Sequence, residues 1–76
     1  MLNEEMLATG RFVHELVGRS VKGSLIIRQV RLGGFRHPIL WRVCIRVVWK
    51  PRPIWTSGET LLLALSRMME RVIRKV

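Results

Sequence analysis

A run of alternating residues from Ile39 to Trp49 constrains the fold more than any other feature of the sequence. The odd positions are all apolar: Ile39, Trp41, Val43, Ile45, Val47 and Trp49. The even positions, continued to residue 50, hold all the charged residues of this stretch; they are Leu40, Arg42, Cys44, Arg46, Val48 and Lys50. Because successive side chains of a strand point to opposite faces, this period of two predicts a strand with one buried face and one largely solvated, basic face.

A second apolar run precedes this strand. Residues Leu25 to Leu32 are rich in β-branched and aliphatic side chains, and the run ends at Gly33-Gly34. The following residues, Phe35 to Pro38, are typical of a turn. The two runs therefore predict an antiparallel β-hairpin.

The amino-terminal region has two interpretations. Residues Leu2 to Val17 suit a helix capped by Asn3, with Glu4 and Glu5 in its first turn, although Gly10 weakens it. Alternatively, a short helix ends at Ala8 and a third strand runs from Arg11 to Val17, where apolar and polar residues alternate in part.

The carboxy-terminal region predicts a helix. Pro51 and Pro53 should take the connection from Lys50 to Trp55 out of the sheet. Thr56 and Glu59 have the spacing of a capping box, so we expect a helix over Ser57 to Val76. Its apolar face comprises Leu61, Leu62, Leu65, Met68, Met69, Val72, Ile73 and Val76.

Together these elements predict an α+β fold. The antiparallel hairpin, with or without a third strand, should pack against a long C-terminal helix, and a short helix should precede it. A chain of 76 residues buries only about 60% of its unfolded surface on folding. We therefore expect one small domain with a single core.

The net charge is unusually high for so short a chain. Fourteen Lys and Arg residues against five acidic ones give a formal charge of +9, and lysine occurs only at Lys22, Lys50 and Lys75. So many like charges repel one another unless a polyanion or an acidic surface neutralises them. The guanidinium group of arginine is also suited to bidentate contact with phosphate or carboxylate. GC-rich codon usage is an alternative source of the arginines.

Residues suited to catalysis are scarce. The chain has no Asp and no Tyr, two His, and one cysteine, Cys44, whose flanking arginines should lower its thiol pKa. His14-Glu15 resembles the start of a zinc-protease motif, but Gly18 stands where the second His is required. We expect neither enzymatic activity nor a metal or cofactor.

Sequence features also bear on the compartment. A single cysteine excludes an intrachain disulfide, the first residues are acidic where a secretory signal is basic, and Arg42 and Arg46 interrupt the longest apolar run. We expect a cytoplasmic protein without an integral membrane segment.

Two basic surfaces are candidates for binding an anionic partner. The first is the solvated face of the predicted strand, where Trp55 adds an aromatic side chain for contact. We expect Trp55 to lie between the Pro segment and the helix. The other two tryptophans, Trp41 and Trp49, should be core residues. The second is a stripe on the C-terminal helix with the spacing of one helical face. The first surface comprises Arg42, Arg46, Lys50, Arg52 and either Arg28 or Arg31, and the second comprises Arg67, Arg71 and Arg74.

Part of the chain resembles double-stranded RNA-binding domains. The resemblance rests on Gly34-Phe35-Arg36-His37, on the alternating apolar residues from Trp41 to Val47, and on the final helix. It covers less than half of the chain, and Gly58-Glu59 stand near the position of that family's paired lysines. The resemblance implies RNA binding.

Two functions fit these features. The first is sequence-tolerant nucleic-acid binding through phosphate contacts from the arginines. The second is that of a small accessory or inhibitor protein, of the type encoded by mobile elements or phages, that docks on an acidic surface of a larger protein. Homo-oligomerisation is a further expectation, because a hairpin and one helix leave apolar residues such as Leu40, Val48, Met68 and Met69 without obvious cover.

Overall fold

The computed structural model describes residues 3–31 and 39–73 and contains two helices and three strands. In chain order they are α1 (Glu4–Arg19), β1 (Ile26–Arg31), β2 (Ile39–Ile45), β3 (Ile54–Gly58) and α2 (Leu61–Ile73). The strands form one antiparallel sheet in the order β1-β2-β3. The α+β class and the hairpin are therefore confirmed, and the sheet has a third strand.

The strand register defines the two faces of the sheet. Val43 lies opposite Ile27 on β1 and opposite Thr56 on β3, and Ile45 lies opposite Ile54. Opposed residues share a face. This inner face lies against α2, since the Thr56 hydroxyl donates a hydrogen bond to the Ala64 carbonyl at 2.9 Å.

The core lies between the inner face and the two helices. Helix α1 packs on α2 and contributes Leu16, which is fully buried, while Phe12 and Val13 pack against the same cluster. Burial of this apolar surface is the main stabilising contribution available to a chain of this size. The buried cluster comprises Leu16, Val43, Ile45, Val47, Ile54, Ala64, Leu65, Met68 and Val72.

The amino-terminal helix is continuous and is not short. It has 16 residues, and the Asn3 side chain caps it by accepting a hydrogen bond from the Met6 backbone N–H at 2.8 Å. The alternative strand from Arg11 to Val17 is wrong, because burying Phe12, Val13 and Leu16 together requires helical spacing. Leu2 lies outside the described residues.

Strand β3 occupies part of the segment that Pro51 and Pro53 predict to leave the sheet. Thr56 lies within this strand, so the predicted capping box does not form and the helix does not begin at Ser57. Instead the Thr60 hydroxyl accepts a hydrogen bond from the Leu63 N–H at 3.1 Å, and α2 begins at Leu61. Among the described residues α2 has 13 residues and is therefore not clearly long; residues 74–76, the end of the predicted helix, lie outside the described ranges.

Strand β2 ends earlier than the alternation predicts. Val47 keeps the pattern and is buried, but Val48 and Trp49 lie in a turn and are 87% and 40% exposed. The prediction that Trp49 is a core residue is therefore wrong, whereas Trp41 packs partly buried against the core. Met68 is fully buried, contrary to the expectation that it lacks cover.

Replacing glycine by alanine at two positions should change the stability of the protein in opposite directions. Gly10 lies inside α1, and apart from the adjoining backbone of its own helix no atom lies within 4 Å of the point where a Cβ would stand, so Gly10→Ala should raise the unfolding free energy by about 0.5–1 kcal/mol. At Gly58 a Cβ would lie 2.8 Å from the Ala64 nitrogen, so Gly58→Ala should destabilise the protein. Urea denaturation of both variants measures this; a stabilised Gly58→Ala protein would contradict the packing of β3 on α2.

Candidate functional site

The face of the sheet opposite α2 is the outer face, and it is open to solvent. One row across it holds Arg28, Arg42 and Ser57, all exposed, and the next holds Ile26, Cys44 and Trp55. Helix α2 packs on the inner side of the sheet and α1 packs on α2. The outer face therefore combines positive charge with partly exposed apolar side chains.

Two arginines face each other directly on the outer face. Arg28 of β1 and Arg42 of β2 are register partners, an arrangement of like charges that destabilises a sheet. In residues 3–31 and 39–73 the only ion pair joins Arg19 to Glu15, both on α1. The charge of Arg28 and Arg42 is thus not neutralised by an acidic side chain within the part of the chain that the structure describes.

Trp55 lies on the outer face, on the side away from α2. The residue is 48% exposed, and the Arg42 guanidinium carbon lies 5.6 Å from the centre of its ring. This distance is that of a cation–π contact. The residue also adjoins both the Pro segment and α2, as expected, since Pro51, Pro53 and Arg71 line a cleft together with it.

An open cleft of about 500 Å³ adjoins Trp55 at the end of the sheet. Three cations line it, and Arg71 is held in place because its Nη1 donates a hydrogen bond to the Trp55 carbonyl at 2.8 Å. The fold thus brings four residues singled out in the sequence to one place. The cleft is lined by Lys50, Pro51, Arg52, Pro53, Ile54, Trp55 and Arg71.

The remaining predicted binding residues are more dispersed. The Arg67 Nη1 donates to the Ser57 carbonyl at 2.6 Å, so Arg67 and Arg71 both fasten α2 to the edge of β3. Arg46 is exposed just after β2, and its backbone is hydrogen-bonded by Val21 and Ser24. Arg74 lies outside the described residues.

The strand register also shows which of the two candidate arginines on β1 belongs to the outer face. Arg28 lies on the outer face opposite Arg42, whereas Arg31 lies opposite Ile39 and belongs to the other face. Sequence reasoning missed Ile26 and Ser57 as members of the outer face. They carry no charge signal, and only the pairing of the strands places them beside Arg42 and Trp55.

Cys44 is not an activated thiol. It shares the outer face with Arg42, as predicted, but the residue is only 5% exposed between its register partners Ile26 and Trp55. Burial raises the pKa of this thiol, and the opposing effect of the Arg28 charge is smaller. The prediction that nearby arginines lower the pKa is therefore wrong.

Two further properties of the described residues are relevant. Within residues 3–31 and 39–73, no three His, Cys, Asp or Glu side chains lie together in a way that could hold a metal ion. Neither α1 nor α2 has the length and apolar character needed to cross a bilayer.

Comparison with known proteins adds no relative. No protein-family model, no curated protein and no solved structure matches the chain. The resemblance to double-stranded RNA-binding domains therefore rests on the sequence pattern alone, and its residues Gly34 to His37 lie outside the described ranges.

Burial of Cys44 predicts a pH dependence of stability. The folded state holds the thiol pKa above its ordinary value of 9.0, so the protonated thiol's contribution is complete below that pH and is lost as the pH rises through the raised pKa. Urea denaturation at pH values on either side of 9.0 should show this loss in the wild type and a smaller one in Cys44→Ala. Equal losses in both proteins would contradict it.

Proposed function

We propose that the protein binds nucleic acid through the outer face of its sheet and the adjoining cleft. The observation that carries this proposal is the pair of opposed arginines, Arg28 and Arg42, exposed without an acidic partner among the described residues. Phosphate groups would supply the missing negative charge and remove the repulsion between the two guanidinium groups.

The arrangement of the cations supports contact with an extended polyanion. Arg28 and Arg42 lie across the sheet, and Lys50, Arg52 and Arg71 lie around the cleft, with Trp55 bordering both groups. Contacts of this kind position a nucleic acid through its backbone and carry no base sequence information. Binding should accordingly be tolerant of sequence and sensitive to salt.

Replacing Arg42 should weaken binding through one lost phosphate contact. In Arg42→Gln the slope of log affinity against log salt should fall by about 0.9 on duplex DNA, or about 0.7 on a single strand. Arg11→Gln is the matched control, because it removes the same charge from the exposed side of α1. Fluorescence anisotropy of labelled oligonucleotides over a range of salt concentrations measures both slopes.

Two outcomes of that titration would count against the proposal. One is the absence of binding to DNA and RNA at low salt. The other is an equal effect of Arg42→Gln and Arg11→Gln, which would indicate that net charge alone matters and that the outer face is not the site.

A second candidate function is docking on an acidic protein, and the open edge of β1 favours it. Arg67 and Arg71 occupy carbonyls along the edge of β3, whereas β1 pairs with β2 alone among the described residues. An unpaired edge can add a strand from another protein. Arg28 beside that edge would favour a strand that carries acidic residues.

Affinity purification from the native host separates these two functions. Docking on a protein predicts that one partner is recovered in stoichiometric amount and that nuclease treatment does not release it. Nucleic-acid binding predicts that any co-purifying protein is lost after nuclease treatment.

A further inference from the structure

We propose that the preferred ligand is single-stranded nucleic acid, with an unpaired base stacked on Trp55 and a neighbouring phosphate in the cleft lined by Lys50, Arg52 and Arg71. This inference rests on the proposed function and specifies the form of nucleic acid that the site takes.

The exposed ring of Trp55 is the first support. Trp55 is held in β3 between Ile54, which is buried, and Thr56, whose hydroxyl is bonded to α2, so its backbone position is fixed. As a residue Trp55 is 48% exposed, and the guanidinium carbon of Arg42 lies over its ring, 5.6 Å from the ring centre. A ring that accepts one flat group on its face can accept a base, since every base has a π-face.

The cleft provides a phosphate site that Trp55 itself helps to line. Trp55 forms part of its lining together with Lys50, Arg52 and Arg71. Arg71 uses one donor on the Trp55 carbonyl at 2.8 Å and retains other N–H donors for an anion, so its guanidinium is positioned before a ligand arrives. Pro51 and Pro53 also line the cleft and restrict the backbone that carries Arg52.

This combination favours a single strand over a duplex. In a duplex each internal base is covered on both faces by its stacked neighbours, so away from the two ends Trp55 can contribute no stacking and only the phosphate contacts remain. In a single strand an unpaired base gains the stacking contribution in addition to those contacts. The difference in affinity between the two forms should therefore depend on Trp55.

Anisotropy titrations with labelled oligothymidylate and with a duplex of the same length test this inference. We expect the wild type to prefer the single strand. Trp55→Leu should weaken single-strand binding by about tenfold or more and leave duplex binding nearly unchanged. Trp55→Phe should retain most of the affinity, because a smaller aromatic ring still stacks.

Matched variants separate stacking from general effects. Trp49→Leu removes another partly exposed indole that does not line the cleft, and it should leave both affinities unchanged. Arg52→Gln should lower the single-strand salt slope by about 0.7 without altering the contribution of Trp55. Circular dichroism and urea denaturation verify folding. If Trp55→Leu does not fold, the wild-type preference between the single strand and the duplex decides the question.

The outcomes distinguish this inference from the proposed function. Tighter duplex binding, no effect of Trp55→Leu, or equal losses in Trp55→Leu and Trp49→Leu would overturn the single-strand site. In those cases a salt slope that still depends on Arg42 leaves the proposed function in place. Failure to bind either form overturns both.

Discussion

Helix α2 is fastened to β3 through side chains and through direct backbone approach. The Thr56 hydroxyl donates to the Ala64 carbonyl from the inner face, and Arg67 and Arg71 donate to carbonyls of Ser57 and Trp55. Gly58 lets the strand approach Ala64. This junction places α2 over the inner face and the edge of β3, and the positions of the core, the outer face and the cleft depend on it.

The arginines accordingly differ in what they contribute to the fold. Arg67 and Arg71 satisfy backbone carbonyls of an edge strand, which protects that edge from pairing with other chains. Arg28 and Arg42 oppose each other on the outer face, where their repulsion lowers stability. Net charge alone does not reveal this division, because one arginine can stabilise the fold while another weakens it.

Sequence patterns predicted those parts of the fold that depend on local periodicity. The alternation through Val43 and Ile45 located β2 and its buried face, and Asn3 marked the start of α1. Strand β3 was missed because Thr56 and Glu59 suggest a helix cap, and only tertiary contact with Ala64 makes Thr56 a strand residue. The capping role falls to Thr60 instead.

The candidate site was predictable in composition but not in arrangement. Charge and exposure singled out Arg42, Lys50, Arg52, Trp55 and Arg71, yet their grouping depends on which strand follows β2. The burial of Cys44 has the same origin, because Ile26 and Trp55 come beside it from the two neighbouring strands. Neighbours contributed by other strands cannot be read from one strand's alternation.

Gly58 has a consequence for how this chain can diverge over evolution. Any larger residue there would have to displace the Ala64 nitrogen, which lies only 2.8 Å from where a Cβ would stand. Arginines outside the junction of α2 and β3, such as Arg28, can be exchanged with little effect on packing, so they record ancestry poorly. A descendant that keeps β3 packed against α2 must keep glycine at this position. Gly58, together with the capping Thr60 two residues later, is therefore a better marker of common descent than the net positive charge.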